Sequence, residues 1–541
     1  MMKMYQGVSK ILRGSGVGFM FGIPGGGSTV DLINGAEDEG IQFILTQHES
    51  SAAIMASVVG DVTGVPGVCL STLGPGALNL CNGLGHAWLD RSPVLAMTDR
   101  YGAEMVDLAY RQKIDHNDLF KPFTKLSAGL TKTNWSEMLA RGIRMARMPR
   151  RGPVHLDFPN DLSKVEIAGF GNVMGPEEFL PEANAKCVKL GLEKIGRAKR
   201  PVAIIGLGIN AAQSDVFGKL KSFVERFNLP TFKTAKAKGS LPDNHPWSLG
   251  VFMGGNLEQS IIEQSDLIIA IGLDPVELLP KKWDYPQPIV YIDTIPNIEE
   301  NYHAEIELVG EIGSTLKRLH DECTDTESCW RIEEMSAYRE NTKEILRFRV
   351  DGLSAVQIID ATREFTPEDA FLTVDVGANK LLVIELWDSF VPGRFFMSNG
   401  LATMGYAIPS ALALQLLHPE KKVVSLCGDG GFMMRLPELA TAVQYRLPIV
   451  MVIFSDGRLS LIDVKQIKKG YSVPRGTGFA RPNFVDLGKS FGIPAWSVDT
   501  EEGLRGALAA AMNSNDGLPK LIEAKMDCSP YPQQFDAVRE L

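Results

Sequence analysis

The sequence predicts an α/β protein of three domains, each built on a parallel sheet. Its 541 residues leave room for about three domains at roughly 100–200 residues each. Three blocks of the chain repeat one rhythm, short apolar runs alternating with longer amphipathic stretches, which is the pattern of parallel strands joined by helices. Hydrophobic residues at 45%, charged residues at 22%, 53 Gly and 31 Pro suit packed globular cores and exclude disordered, collagenous and disulfide-scaffold classes.

In the first block, apolar runs at 19–23, 43–46, 67–72 and 94–98 are strand candidates, separated by segments such as 50–64, and the block closes near 152–162. The stretch 165–186 is rich in Gly, Pro and acids without sustained periodicity, so it is expected to be a linker. The second block carries strand candidates at 202–207, 267–272 and 289–294, and the highly charged 331–352 is expected to form a helix and crossing segment. The third opens with 371–377 and 423–431 and closes with a strand and helix alternation over 485–526. The expected domains are 1–165, 187–345 and 354–541.

Charge and cysteine usage narrow the class. With 55 Lys+Arg against 65 Asp+Glu and a net charge of −10, a generic nucleic-acid surface is not expected, because phosphate affinity comes mainly from clustered basic residues. The seven cysteines are scattered without a CxxC pair, which suits reduced cytosolic thiols. The N-terminus has no signal-peptide pattern, and no run of about 18 apolar residues would cross a bilayer. A cytoplasmic protein without membrane or nucleic-acid partners is expected.

The most informative segment is Gly428-Asp429-Gly430-Gly431-Phe432, directly after an apolar run. Glycines let backbone approach a phosphate, and an adjacent Asp can hold a divalent cation that bridges to it. A helical segment, a Leu447-Pro448 break and a buried-strand run then lead to Ser455-Asp456-Gly457-Arg458. Asp429 and Asp456 are 27 residues apart (456 − 429), a spacing that suits one strand–helix–strand unit. Both acids then stand at the carboxyl ends of neighbouring strands, where open α/β sheets bind ligands. Mg²⁺ suits two carboxylates plus a backbone carbonyl, because diphosphate and water complete its shell.

This order of GDG, helix, Leu-Pro, strand and acidic turn resembles the diphosphate-binding motif of thiamin diphosphate (ThDP) enzymes. In that family the second ligand is usually an Asn, so Asp456 keeps the oxygen but adds a charge. The resemblance implies a Mg²⁺ site of Asp429, Asp456 and the Arg458 carbonyl, with Gly428, Gly430, Gly431, Leu459 and Ser460 beside the cofactor. Gln47-His48-Glu49 follows a strand-like run; on its own it is a helix N-terminus with an acid in the first turn. In ThDP enzymes a Glu in this position donates to N1′ of the aminopyrimidine, which makes Glu49 the activating acid.

Other segments take their meaning from the same resemblance. Pro24-Gly25-Gly26, Gly74 in Leu73-Gly74-Pro75-Gly76, and Asn79 match loops of the pyrimidine-binding domain. Gln112 is implied as a positioner of intermediates. His116 is either structural or substrate-facing, and the His-His pair of decarboxylase relatives is absent. Gly377-Ala378-Asn379 and Leu401 contribute to the cofactor site, and Met404 is the apolar residue under the bent cofactor. The family fold implies three doubly wound parallel-sheet domains in the order pyrimidine-binding, central and diphosphate-binding, with active sites shared in a homodimer or homotetramer.

The central block refines the assignment. Gly206-Leu207-Gly208-Ile209-Asn210-Ala211 is a weak dinucleotide fingerprint, without an acidic partner ending the next strand, and is expected to be a tight strand-to-helix turn. The run 272–277 is similar to the central domain of catabolic acetolactate synthases. The Arg-Phe-Asp-Asp-Arg run of flavin-containing synthases is missing, which argues against FAD. The position where biosynthetic synthases carry a specificity Trp aligns with Lys465. The resemblance therefore implies decarboxylation of a 2-oxo acid such as pyruvate followed by carboligation. A 2-hydroxyacyl-CoA lyase, for which Lys465, Lys468 and Lys469 would bind a CoA ester, or a simple decarboxylase is the alternative. A nicotinamide oxidoreductase and a non-catalytic ThDP-binding subunit are the more distant rivals.

Overall fold

The computed structural model describes residues 2–168, 180–211, 215–298, 301–323 and 326–539. Three six-stranded, fully parallel sheets carry the fold. The chain divides into two compact units: Met1–Glu178 with Gly400–Pro419 and Arg435–Leu447, and Phe179–Asn399 with Glu420–Met434 and Pro448–Leu541.

In the first unit the sheet runs, edge to edge, Gln42–Leu45, Phe19–Ile23, Gly67–Ser71, Val94–Arg100, Pro153–Pro159 and Ser127–Gly129. The order grows outward in both directions from the pair Phe19–Ile23 and Gly67–Ser71, so the topological switch point lies between them. Every residue of Gly67–Ser71 is buried, as a strand covered on both faces requires. The helix Glu49–Thr63 is buried from Glu49 through Gly60, and its Ala- and Ser-rich sequence permits close packing. A Cβ on Gly83 of the neighbouring helix Pro75–Leu89 would stand 2.5 Å from that of Ala53. The apolar helix Ala407–Leu417 packs on Glu49–Thr63 too.

The second unit holds the other two sheets. The central one is ordered Ser248–Val251, Thr231–Lys233, Pro201–Ile205, Leu267–Ile271, Ile289–Asp293, Ile306–Val309, and its switch point falls between Pro201–Ile205 and Leu267–Ile271. The last is ordered Phe395–Met397, Phe371–Val374, Val423–Gly428, Val450–Ser455, Lys520–Lys525, Ala495–Val498. Its switch point lies between Phe371–Val374 and Val423–Gly428.

The segment expected at 331–352 contains the helix Ile332–Ile345, whose one buried residue is Met335. Of the expected linker, 169–179 lies outside the described residues. Glu166–Ile167 pairs antiparallel with Met2–Lys3, and the helix Ala185–Arg197 begins before the stretch ends. Short strands such as Ser127–Gly129, Thr231–Lys233 and Phe395–Met397 were not among the sequence candidates. Three residues are too few for a periodic signal.

Candidate active site

Within the second unit, the last sheet brings the two acids of the sequence motif together. The strands Val423–Gly428 and Val450–Ser455 are neighbours, paired up to Gly428 and Phe454. Asp429 opens the helix Asp429–Met434, and Asp456 opens the turn after the second strand. Asp429 Oδ2 accepts from Gly457 N–H at 2.7 Å and its Oδ1 from Gly430 N–H at 2.8 Å. Asp456 Oδ1 accepts from Arg458 N–H at 3.0 Å and its Oδ2 from the Ser460 hydroxyl. Gly457 has φ +72°, a conformation that glycine adopts without strain.

This turn has the electrostatics of a cation site. Burial, reinforced by Asp456, pushes the Asp429 carboxyl up to about 6, and burial also raises that of Asp456. Two desolvated carboxylates on adjoining loops are relieved by a divalent cation with oxygen preference. Across the switch point, the helix Ala378–Leu386 starts just after Gly377. Asn379 is buried there, and among the described residues its Nδ2 has no hydrogen-bond partner. An orphaned amide donor beside a glycine turn suits an anionic phosphate oxygen. The donor set thus fits a Mg²⁺–diphosphate group.

The first unit holds the second group of motif residues. Glu49 is buried at the start of its helix, capped by the His48 ring, which accepts from Ser50 N–H at 3.1 Å. Asn79 Nδ2 donates to Glu49 Oε2 at 2.9 Å. A Cβ on Gly76 would stand 3.2 Å from Glu49 Oε1, so a larger residue at 76 would crowd the acid. The Glu49 turn is held from far along the chain: Glu438, itself buried, accepts from Gln47 N–H at 3.1 and 3.3 Å. The sequence of 437–443 signals a helix and carries no sign of this contact.

Gln112 is exposed, with φ +57°. A Cβ on Gly74, at φ +67°, would meet the Gln112 carbonyl oxygen at 2.6 Å, so only glycine fits there. His116 is buried. Its Nε2 accepts from Gly74 N–H at 3.2 Å, and Nδ1 lies 2.7 Å from Asp157 Oδ1. The pairing defines an Nδ1–H tautomer that donates to Asp157. Thr98 bridges Asp157 and His155 at 2.8 Å each. Burial pushes His155 down to about 4. This network was not foreseen from the sequence.

The remaining loops are also placed. Gly25 N–H donates to Thr29 Oγ1 at 3.1 Å, beside the buried Asp99, and Pro24 and Gly26 flank it at the first switch point. The turn carrying Leu401 and Met404 is tied to the helix Pro75–Leu89 by Thr403 Oγ1 donating to Asn82 Oδ1 at 2.7 Å, and Gly400 N–H donates to Asp90 Oδ1 at 2.7 Å. Ala378 and Gly431 are buried, Gly431 against the Asp375 carboxylate. Arg458 turns its guanidinium to Asp463 and Thr477, and Leu459 precedes the helix Ser460–Lys468. Lys468 pairs with Asp536, whereas Lys465 and Lys469 are exposed.

The switch point of the central sheet is filled by its own turns. Gly208 N–H donates to Gly272 O at 2.9 Å, and Cβ atoms on Gly206 or Gly208 would collide with residues 272–273. The turn after Pro201–Ile205 continues as the 3₁₀ segment Leu207–Ala211. Its Leu207 N–H, the kind of donor a phosphate would use, is taken by Glu277 Oε2 at 2.7 Å.

Comparison with known proteins accords with this geometry. Residues 2–119 match the thiamine pyrophosphate enzyme N-terminal TPP binding domain, 189–319 its central domain and 375–524 its C-terminal TPP binding domain. The chain is 30% identical to an acetolactate synthase of Bacillus subtilis (strain 168), over 95% of this chain and 91% of the relative. It is 30% identical to the catabolic acetolactate synthase of Raoultella terrigena, over 96% and 94%. It is 28% identical to the acetolactate synthase isozyme 2 large subunit of Escherichia coli (strain K12), over 96% and 95%. The chain belongs to the thiamine pyrophosphate enzyme family, and its three parallel-sheet α/β domains are those of that family. Among the described residues no helix is long and apolar enough to cross a membrane.

Proposed function

We propose that this chain is a ThDP- and Mg²⁺-dependent carboligase that decarboxylates a 2-oxo acid, pyruvate foremost, and joins the remaining fragment to a second carbonyl compound. The observation that carries the reading is the convergence of the buried Asp429 and the half-buried Asp456 at the carboxyl ends of neighbouring strands, where Asp429 Oδ2 accepts from Gly457 N–H. The acetolactate synthase relatives support the reaction class. When bound, ThDP supplies a carbon nucleophile and an electron sink for cleaving the bond beside a carbonyl.

The protein's own residues set up that chemistry. Asp429, Asp456 and the Arg458 carbonyl would hold Mg²⁺. Gly428, Gly430, Gly377 and the Asn379 amide would receive the diphosphate. Glu49, with Oε2 fixed by Asn79, would hold a proton at the pyrimidine nitrogen through its other oxygen. Met404 would set the cofactor's bend, and Gln112 would orient the substrate. His116, engaged at both nitrogens, would position the Gly74 turn. The filled central crevice gives no support to a dinucleotide.

The proposal includes domain bounds of 1–165, 187–345 and 354–541, a cytoplasmic location, and a homodimer or homotetramer whose sites are shared between subunits. Incubating the cofactor-free protein with ThDP, Mg²⁺ and pyruvate, with and without aldehydes, and identifying the products by mass spectrometry tests the reaction. Acetolactate or another 2-hydroxy ketone is expected. Acetaldehyde as the sole product would favour a simple decarboxylase instead.

A further inference from the structure

Asp429 sets a second negative charge against the turn that carries Asp456, and a diphosphate there adds more negative charge than one divalent cation offsets. The turn contains one basic residue, Arg458, but its guanidinium is directed to Asp463 and Thr477. Arg481, 25 residues downstream of Asp456 in the chain, is directed at the turn itself. Its Nη2 donates to the Asp456 carbonyl at 2.8 Å. Its Nε lies 2.6 Å from where a Cβ on Gly457 would stand. Glycine at 457 therefore serves two ends: it permits the positive φ of +72° and leaves room for a guanidinium against the backbone that follows Asp456 and donates to Asp429. Arg481 is otherwise exposed, so its remaining donors are available.

We propose that Arg481 is a charge-balancing residue of the cofactor turn, offsetting the carboxylate that Asp456 contributes so that the diphosphate end of ThDP can bind. The inference rests on the reading of Asp429 and Asp456 as Mg²⁺ ligands. The sign of the effect separates this role from a purely structural one. Removing a cation from beside two carboxylates weakens binding of an anion but does not weaken binding of a dication. Because Arg481 is exposed, solvent and salt screen it, and the expected effect is about tenfold in affinity rather than many orders of magnitude.

The test is calorimetric titration of the full-length protein, using ThDP at saturating Mg²⁺ and, separately, Mg²⁺ alone. Arg481→Gln is expected to weaken ThDP binding about tenfold, with the gap narrowing at high salt, while Mg²⁺ binds as well as or better than in the wild type. Arg481→Lys, which keeps the charge, is expected to remain within about threefold of the wild type. In an Asp456→Asn background, where the extra charge is gone, Arg481→Gln is expected to cost little. Equal ThDP affinity in the wild type and Arg481→Gln would overturn the proposal. So would equal losses in Arg481→Lys and in the Asp456→Asn background, since Arg481 would then act only by shaping the turn. If the wild type takes up neither Mg²⁺ nor ThDP, the metal-turn reading itself fails, and the role of Arg481 with it.

Discussion

Replacing Glu277 with Gln separates the cost of burying a charge in the central crevice from the value of its hydrogen bond. Glu277 Oε2 accepts from Leu207 N–H at 2.7 Å, and the buried Thr234 hydroxyl faces the same carboxyl. Burial pushes the carboxyl from 4.5 up to about 8. The unfolded chain therefore releases this proton near 4.5, whereas the folded protein holds it until about 8. The group's contribution to stability is most favourable below the unfolded value, falls as pH rises from 4.5 to 8, and is flat above that. The full loss is about 5 kcal/mol at about 1.36 kcal/mol per pH unit. Gln is neutral throughout and keeps an oxygen for Leu207, but it puts an amide NH₂ in place of the buried oxygen that faces Thr234, a cost of about 1–3 kcal/mol. Glu277→Gln should thus be slightly less stable than the wild type at about pH 5 and more stable by about 2–4 kcal/mol at about pH 9. Scanning calorimetry at one scan rate, with both proteins compared at each pH, measures the difference. An offset between the two proteins that stays the same from acid to alkaline pH would refute the reasoning.

Four further outcomes are expected. Asn79→Ala removes the donor that fixes Glu49 Oε2 and should lower kcat more than tenfold while costing about 1–2 kcal/mol in stability; steady-state kinetics beside thermal melts would expose the idea as wrong if kcat held. Glu438→Ala leaves the Gln47 N–H without its acceptor and should destabilise by about 2–4 kcal/mol; an unchanged melting temperature would contradict the role given to this contact. His155 titrates at about 4 in the fold against 6.5 unfolded. Its contribution is therefore complete above 6.5 and is lost as pH falls toward 4, by about 3 kcal/mol. In His155→Gln the decline in melting temperature over that window should be shallower than in the wild type. Finally, inactive Glu49→Gln and Asp429→Ala subunits, unfolded and refolded together, should regain part of the wild-type activity if each site combines the first domain of one subunit with the third of another; no recovery in proven heterodimers would count against shared sites.

The parallel-sheet class was legible in the sequence because buried strands such as Gly67–Ser71, Leu267–Ile271 and Val450–Ser455 must be apolar on both faces. A continuous apolar run is a local property of the chain. The pairing of Asp429 with Asp456 was legible for a related reason: one strand–helix–strand unit has a narrow range of lengths, and spacing alone places its two loops side by side. Short edge strands such as Ser127–Gly129 gave no such signal, because their pairing partner rather than their composition makes them strands.

What the tertiary structure alone decided is which distant groups meet. Glu438 reaches back 391 residues to hold Gln47, Asp157 fixes the tautomer of His116, and Arg481 settles on the turn that begins at Asp456. The glycine turn at 206–208 could equally have cradled a phosphate, until the fold placed Gly272 and the Glu277 carboxylate against it. Apolar periodicity and loop spacing are written into consecutive residues, so the sequence by itself determined the layers and the order of the loops. Hydrogen bonds between groups tens to hundreds of residues apart depend on how those layers close, and only the folded chain specifies them.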